Sequence, residues 1–490
     1  MGSTTMTRGV AARLAAVLLL ACGLTLPSLS RAIQGAGGSA RSGGATSAPA
    51  PAPPAGPGAP AGASGGGAGG GSAAAPAVLA IKAARLFDGR SDHWVRDGVV
   101  VVAGGKIQAV GGGLAVPAGA QVLDLGDVTL LPGLIDCHTH LSFESSDDYT
   151  RDTVNRLRRD VAEAAIRATA NARRTLMAGF TTVRDLGSSD FIDVGLRNAI
   201  RDGVIPGPRM LVAVHMLGAR GGHADGAGFP FKRFGDDPGI ERGIASGPDQ
   251  FRDAVRFSVK YGADVIKVGA TGGVLSLSDE VDTPQVTQAE LDAIVDEAHR
   301  LHKRAAAHAH GVTGAKEAIR AGIDSIEHGS FLDDEGLRMM KERGTYLVPT
   351  LLAGEYASGR VVPRHYPPEI AAKADAAVAQ RSTMFRKALR IGVKVAFGTD
   401  SAVSPHGLNA KEFSLLVGHG MTPAAALRTA MGPAADLLGL PGQIGTLEAG
   451  KQADVVAVPG DPLADIKVTE RVSFVMKGGQ IWKVAGVEKD

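Results

Sequence analysis

The chain has 490 residues, which is too long for one minimal domain and long enough for a large barrel with a smaller domain beside it. Its 52 Lys and Arg residues nearly balance its 50 Asp and Glu residues, and there is no basic block, so the charge pattern gives no support for a nucleic-acid partner. A small molecule is therefore the expected partner.

Residues 1–32 are typical of an export signal. Arg8 and Arg13 flank the start of an apolar run over residues 14–26, which is too short to span a bilayer but has the length of a signal-peptide core. We therefore expect an exported protein.

The cysteines bear on how that signal is processed. Residues 19–22 resemble a bacterial lipobox, in which Cys22 would be lipidated, and ordinary cleavage near Ala32 is the alternative. The mature protein is thus expected to be periplasmic, or anchored to the membrane as a lipoprotein. The other cysteine is Cys137, so no intrachain disulfide forms once Cys22 is acylated or removed.

Residues 33–77 are almost entirely Gly, Ala, Pro and Ser, without a periodic apolar pattern. Such a segment buries too little surface to offset the entropy of ordering it, so the sequence predicts a disordered linker.

Short β-rich runs occupy both ends of the remaining chain. They are separated by Asp-Gly and Gly-Gly turn signals, and they cover residues 80–86, 98–102, 106–110, 450–458 and 472–482. We expect residues 78–129 and 441–490 to pair into one β-sandwich, which the intervening domain interrupts.

Residues 130–440 repeat one unit, an amphipathic helix, a glycine and a short apolar strand. The glycines predicted to end helices in the left-handed conformation are Gly179, Gly262, Gly322, Gly344 and Gly392. The predicted strands lie at 131–140, 180–183, 210–214, 265–268, 305–308, 325–326, 346–348 and 395–397. Eight strands that alternate with helices predict a parallel (β/α)8 TIM barrel.

One of the predicted helices can be followed from its first residue. Thr287 and Glu290 have the spacing of a capping box, and Leu291, Ile294 and Ala298 belong to its buried stripe.

Polar residues that could hold metal ions lie at the ends of the predicted strands. His138 and His140 end the first strand and share one of its faces, because alternate side chains along a strand point the same way. The other candidates end the fourth, fifth, sixth and eighth strands, and they are Lys267, His308, His328 and Asp400. Several imidazoles and a carboxylate at the mouth of a barrel predict Zn2+ or a similar divalent ion.

Five motifs at these strand ends resemble those of the amidohydrolase superfamily, within it the metal-dependent prolidases (Xaa-Pro dipeptidases) and carboxypeptidase-like amidases. They lie at residues 132–140, 266–274, 307–311, 325–329 and 397–401. The resemblance implies two divalent ions, one held by His138, His140 and Asp400 and the other by His308 and His328. It also implies that Lys267 bridges both ions as an N-carboxylated lysine.

Physical chemistry is consistent with that modification of Lys267. An ammonium beside two dications is strongly disfavoured, whereas the neutral amine can capture CO2 as an anionic carbamate. The alternative is an unmodified lysine paired with a carboxylate.

The resemblance implies hydrolysis of amide or peptide bonds by a hydroxide held between the ions, with Asp400 as the catalytic base that passes its proton to the leaving nitrogen. A dipeptidase of the Xaa-Pro type is the first interpretation. An N-acyl-amino-acid amidase, which includes enzymes acting on ochratoxin, is the alternative. A cyclic-amide hydrolase or a deaminase is another alternative, although mononuclear deaminases lack the lysine seen at Lys267.

Further residues are expected to contact the substrate. His223 follows the third strand, His310 lies two residues after His308, and Ser142 lies near the metal ligands. The loop over residues 226–247, with Phe229, Phe231, Lys232 and Arg233, is predicted to form a lid. We also expect a homo-oligomer.

Overall fold

The computed structural model describes residues 77–225, 237–277 and 279–489. Several predictions lie outside these ranges: the export signal with Cys22, the linker except residue 77, and the part of the predicted lid over residues 226–236.

The described residues form eighteen strands, which lie in three sheets. The strands are β1 (Leu79–Leu86), β2 (Val95–Ala103), β3 (Lys106–Gly112), β4 (Gln121–Asp124), β5 (Val128–Pro132), β6 (Leu134–Thr139), β7 (Phe180–Asp185), β8 (Arg209–Val212), β9 (Met216–Ala219), β10 (Ile244–Ala245), β11 (Val265–Gly269), β12 (Arg304–Ala309), β13 (Ser325–His328), β14 (Tyr346–Val348), β15 (Val455–Pro459), β16 (Phe474–Lys477), β17 (Gln480–Val484) and β18 (Val487–Glu488).

Twelve α-helices and two short 3-10 helices, Ile240–Arg242 and Ile466–Arg471, accompany the strands in the described ranges. The α-helices are α1 (Tyr149–Arg158), α2 (Val161–Met177), α3 (Ile192–Arg201), α4 (Pro248–Lys260), α5 (Gln288–Arg300), α6 (Val312–Ala321), α7 (Asp334–Arg343), α8 (Leu351–Ala357), α9 (Pro368–Ile391), α10 (Lys411–Gly418), α11 (Pro423–Thr429) and α12 (Gly432–Leu437). None of them combines the length and the hydropathy of a membrane-spanning segment.

One nine-stranded sheet contains strands from both ends of the described chain. Its order is β18-β17-β16-β15-β5-β1-β2-β3, with β4 paired to β1. The two ends meet where β15 runs antiparallel to β5, with Val456 opposite Leu131. Ile81, Val100 and Phe474 are among the buried side chains of this sheet, which therefore has a core of its own. That the sheet belongs to a β-sandwich stays a prediction.

The middle of the chain forms parallel strands that alternate with helices. Strands β6, β7 and β8 form one sheet, and a second has the order β10-β9-β11-β12-β13-β14. Seven of the eight predicted segments contain a strand, and β6 to β8 and β11 to β14 pair in parallel with their neighbours. The fold is therefore α/β, as predicted.

Two details of the predicted strands were wrong. Residues 131–140 contain parts of two strands that lie in different sheets and are separated by Gly133, where a Cβ would lie 2.2 Å from Thr181 Oγ1. Residues 395–397 form no strand, because the amide of Phe397 donates to the carbonyl of Thr429 (3.0 Å) and interrupts the ladder. Val395 still makes an isolated parallel bridge to β14, and the amide of Cys137 in β6 donates to the carbonyl of Phe397 (2.8 Å).

The glycines at the helix ends have the predicted left-handed conformation. Gly322, Gly344 and Gly392 are the C-caps of α6, α7 and α9. Gly179 and Gly262 also have positive φ, but each follows the C-cap by one residue.

The predicted capping box at the start of α5 is present. The Thr287 side chain accepts from the amide of Glu290, and the Glu290 carboxylate accepts from the amide of Thr287 at 2.7 Å. We expect Thr287→Ala to lower the free energy of unfolding by about 1 kcal/mol, because one amide of the first turn loses its partner. Denaturant titration of the purified protein measures this change.

Thr169→Ala is the matched control, because Thr169 lies inside α2 and its hydroxyl donates to the carbonyl of Ile166. Alanine has the higher helix propensity there, so the control should keep or slightly raise stability. Equal losses in the two variants would contradict a specific contribution from the cap.

Candidate metal centre

Two groups of three potential metal ligands lie close together at the ends of the parallel strands. His138, His140 and Asp400 form one group, and His308, His310 and His328 form the other; within each group the ligand atoms lie within 4.8 Å of one another. Asp400 Oδ1 is 3.5 Å from His138 Nε2 and 3.4 Å from His140 Nε2. The rings of His138 and His328, one from each group, are 5.1 Å apart.

Strand register brings these side chains together. In the parallel ladder of β11, β12 and β13, Gly269 lies opposite His308, and Ala309 lies opposite His328. Lys267 enters the same space from β11, and its Nζ is 3.5 Å from His138 Nε2. The structure therefore brings together all six residues predicted as metal ligands.

Most of the imidazoles are held by a hydrogen bond at the nitrogen Nδ1. The partners of Nδ1 are Glu327 Oε2 for His138 (2.8 Å), the Gly187 carbonyl for His140 (2.9 Å), Ser330 Oγ for His310 (2.9 Å) and Thr350 Oγ1 for His328 (2.6 Å). For His308 it is Nε2 that contacts a carbonyl, that of Gly272, at 3.3 Å. Each ring therefore keeps its second nitrogen for a ligand, as imidazoles at metal sites do.

Burial keeps these rings neutral. It lowers the pKa of His140 to about 4 and that of His310 to about 3, and it lowers the pKa values of His138, His308 and His328 well below the usual range. Neutral imidazole is the form that binds metal ions. The donor set thus fits divalent ions such as Zn2+.

Lys267 is almost fully buried and lies beside these rings. Burial lowers the pKa of its ammonium to about 8, so a much larger fraction of this lysine is neutral amine near neutral pH than of a lysine in water. Asp400 is affected in the opposite direction, because burial raises the pKa of its carboxyl to about 7.

Backbone strain marks two of these positions. His328 has φ 71° and Asp400 has φ 55°, in the left-handed region that residues with a side chain rarely adopt. Such strain costs about 1–3 kcal/mol at each position and persists where the surrounding structure holds it.

Glu327 is a residue of the centre that the sequence interpretation missed. Its carboxylate holds His138 from behind and accepts a hydrogen bond from Arg184 Nη2 at 2.8 Å, and both side chains are almost completely buried. Arg184 in turn donates to the carbonyl of Cys137 (2.6 Å) and to Ser325 Oγ (3.1 Å). This network ties β6, β7 and β13 together beneath the ligands.

The three residues expected to contact substrate lie near the centre in different ways. The ring of His223 stacks on that of His308 with 4.4 Å between centroids, and its Nδ1 is 3.0 Å from Ser276 Oγ. His310 lies within the second ligand group itself. Ser142 is buried two residues after His140. Their contacts with substrate stay predictions.

Comparisons with known proteins show that this chain is similar to amidohydrolases. The sequence model of the Amidohydrolase family matches residues 129–482. Ochratoxinase of Aspergillus niger is 34% identical over 383 residues, which cover 73% of this chain and 76% of that protein. The crystal structure of a Xaa-Pro dipeptidase with bound methionine has a TM-score of 0.79 and 40% identity, and it covers 83% of this chain and 100% of that chain. The crystal structure of A. niger ochratoxinase has a TM-score of 0.74 and 32% identity, over 84% of this chain and 97% of that one.

Replacement of Glu327 tests the importance of the network behind His138. We expect Glu327→Gln to weaken Zn2+ binding by the apo-protein about 10–100-fold, because the amide removes the charge that orients the ring and raises its basicity. Competition with a zinc-binding dye measures the affinity. The control is Glu342→Gln on the exposed surface of α7, which should bind as the parent does. Parental affinity in Glu327→Gln would contradict a contribution of this carboxylate to metal binding.

Proposed function

Because this chain belongs to the amidohydrolase family and is a hydrolase acting on C–N bonds, we propose that it is a binuclear metal-dependent enzyme that hydrolyses amide or peptide bonds. The first candidate activity is that of a dipeptidase acting on Xaa-Pro substrates. The observation that carries this proposal is the pair of ligand groups that meet beside the buried Lys267.

The proposed ligands divide between two sites. His138, His140 and Asp400 would hold one ion, and His308 and His328 the other, with carboxylated Lys267 between them. Two divalent ions, with zinc as the expected metal, would supply Lewis acidity that lowers the pKa of water and polarises the scissile carbonyl. The low pKa of Lys267 supports carboxylation, because CO2 reacts with the neutral amine.

Asp400 is the candidate for proton transfer. Its carboxylate lies beside two ligand rings, with Oδ1 3.5 Å from His138 Nε2 and 3.4 Å from His140 Nε2, so water held by the proposed ions would lie within its reach. We propose that it takes the proton of the attacking water and delivers it to the leaving nitrogen. For an Xaa-Pro bond the leaving group is a secondary amine, which needs that proton to depart.

Substrate contacts are assigned to the side chains around the ligands. His223 and His310 are proposed to orient the substrate carboxylate or the scissile carbonyl, and Ser142 is proposed to add a hydrogen bond. The stacking of His223 on His308 supports this assignment, because it brings the first ring beside a proposed metal ligand.

The second candidate is an N-acyl-amino-acid amidase, and the 34% identity to ochratoxinase favours it. Both candidates require cleavage of an amide bond next to a residue that carries a free carboxylate. They differ in the group on the acyl side of that bond. A deaminase is less favoured, because mononuclear deaminases lack the lysine seen at Lys267, and a cyclic-amide hydrolase is a further alternative.

Further parts of the proposal concern architecture and location. We propose a closed (β/α)8 barrel, supported by the hydrogen bonds that join the segment around residue 397 to both β6 and β14. We also propose a homo-oligomer that is exported to the periplasm or held at the membrane through lipidated Cys22.

A substrate screen tests the proposed activity. Metal-reconstituted protein is incubated with Xaa-Pro dipeptides and N-acyl amino acids, and released amino acids are measured by chromatography. We expect cleavage of at least one class, with loss of cleavage when the substrate carboxylate is amidated. The variant with His138→Ala and His140→Ala should be inactive and depleted in metal, whereas His93→Ala on the surface should match the parent. Release of ammonia without amide cleavage, or turnover of neither class, would refute the proposal.

Lys267→Ala tests the bridging role. We expect this variant to lose metal and activity, and added short carboxylates such as acetate to restore part of both, because they can take the place of the carbamate. Lys341→Ala, an exposed substitution in α7, is the control. A crystal structure of active, metal-loaded protein with an unmodified Lys267 would overturn the assignment.

A further inference from the structure

Thr350 has a backbone conformation that is costly for its residue type. It lies between β14 and α8 with φ 47° and ψ 48°, in the left-handed region. A β-branched residue is a genuine outlier there, and the strain is of order 1–3 kcal/mol. Some other feature of the structure must therefore hold Thr350 in place.

The hydroxyl of Thr350 reaches the proposed ligand His328. Thr350 Oγ1 donates to the carbonyl of Pro349 at 2.9 Å and lies 2.6 Å from His328 Nδ1. When the single hydroxyl proton goes to the carbonyl, His328 Nδ1 is the donor in the second bond. In this arrangement the ring proton lies on Nδ1, and Nε2 keeps a free lone pair for a ligand.

Two buried side chains hold the backbone of this turn, one at its carbonyls and the other at its amides. Arg381 of α9 donates to the carbonyls of Thr350 (3.2 Å) and Leu351 (2.8 Å). Glu412 of α10 accepts from the amides of Leu351 (2.8 Å) and Leu352 (2.7 Å). The turn is thus fixed by four hydrogen bonds, and the two from the Arg381 guanidinium are charge-assisted and therefore stronger than bonds between neutral groups.

The space around Arg381 is also adapted to this contact. A Cβ at Gly354 would lie 2.0 Å from Arg381 Nη1, so a larger residue at this position of α8 would displace the guanidinium. Arg381 is buried, and Glu355 Oε1 lies 3.8 Å from its Nη2. The arginine therefore reaches the turn through a slot that the glycine leaves open.

We propose that Thr350 is a positioning residue for metal binding: it fixes the tautomer and orientation of His328, and Arg381 and Glu412 hold it in the strained conformation that this requires. The inference rests on the proposed function, because it takes His328 as a metal ligand. It adds residues that are not metal ligands. Through them, Arg381 of α9 and Glu412 of α10 influence the binding of one of the two proposed ions.

Two substitutions of Thr350 separate the hydroxyl from the shape of the side chain. Thr350→Val keeps the β-branched shape and removes the hydroxyl, whereas Thr350→Ser keeps the hydroxyl and removes the methyl group. We expect Thr350→Val to bind one of two Zn2+ ions about 10–100-fold more weakly, and Thr350→Ser to stay near the parent. Equilibrium dialysis of the apo-proteins measures affinity and stoichiometry, and circular dichroism checks the fold. Equal affinity of Thr350→Val and parent, or equal losses in both variants, would overturn the proposal.

A second measurement does not depend on metal. In apo-protein labelled with 15N-histidine, the parent and Thr350→Ser should show His328 protonated at Nδ1, and Thr350→Val should show a mixture of tautomers. If the parent binds no ions but shows this pattern, the proposed function fails and the positioning of His328 stands. If the parent binds two ions and its tautomer is unchanged in Thr350→Val, the positioning role fails alone.

A double-mutant cycle tests whether Arg381 acts through Thr350. Arg381→Lys keeps the charge but replaces the two guanidinium nitrogens, each of which reaches one carbonyl, with a single nitrogen on a shorter side chain, so it should weaken Zn2+ binding in the parent. It should have little further effect in the Thr350→Val background, because residues that act as one unit are not additive. Arg386→Lys, the same change at an exposed position of α9, is the control. Fully additive losses would overturn the role of Arg381.

Discussion

Five imidazoles share one buried space in this protein, and the arrangement depends on a hydrogen bond that holds each ring from one side. A buried ring without such a partner would carry an unsatisfied donor, which costs about 1–3 kcal/mol, and it could rotate away from the centre. The partners come from different elements: a carboxylate in β13, hydroxyls at Ser330 and Thr350, and carbonyls at Gly187 and Gly272. Some of these partners are themselves held by hydrogen bonds to other buried polar side chains.

Glu327 shows how far this requirement extends. A carboxylate with no exposed surface is strongly disfavoured unless it is paired and hydrogen-bonded, and Arg184 and Ser325 supply these contacts. Asp136 has a similar place beneath His138. It accepts from the Thr399 hydroxyl (2.6 Å) and the Asn409 side-chain amide (2.8 Å), while burial raises the pKa of its carboxyl to about 6. The ligands thus rest on a buried polar layer whose groups are mutually satisfied.

Local patterns in the sequence predicted the parts of this arrangement that local physics determines. The capping box at Thr287, the glycines after the helices and the donors at strand ends all depend on neighbours along the chain. Glu327 was missed because strand alternation assigns neighbouring residues to opposite faces, so His328 as a ligand implied that Glu327 pointed away. In the structure His328 has positive φ, and both side chains reach the surroundings of His138. The strand expected at residues 395–397 failed for a similar reason, because the carbonyl that takes its amide belongs to Thr429.

The same physical division explains why similarity to a dipeptidase and to an ochratoxinase can coexist in one chain. The proposed metal ligands project from the ends of parallel strands, where backbone ladders fix them, and this part of the chemistry is common to any amide substrate. The group on the acyl side must instead be recognised by loops beyond the strand ends. One such loop is already braced, because Lys373 of α9 donates to the carbonyls of Ser276 (2.5 Å) and Asp279 (2.9 Å), and Ser276 contacts His223. We therefore expect the conformation and rigidity of such loops, and not the metal ligands, to determine whether the enzyme prefers an Xaa-Pro dipeptide or a substrate with a larger acyl group.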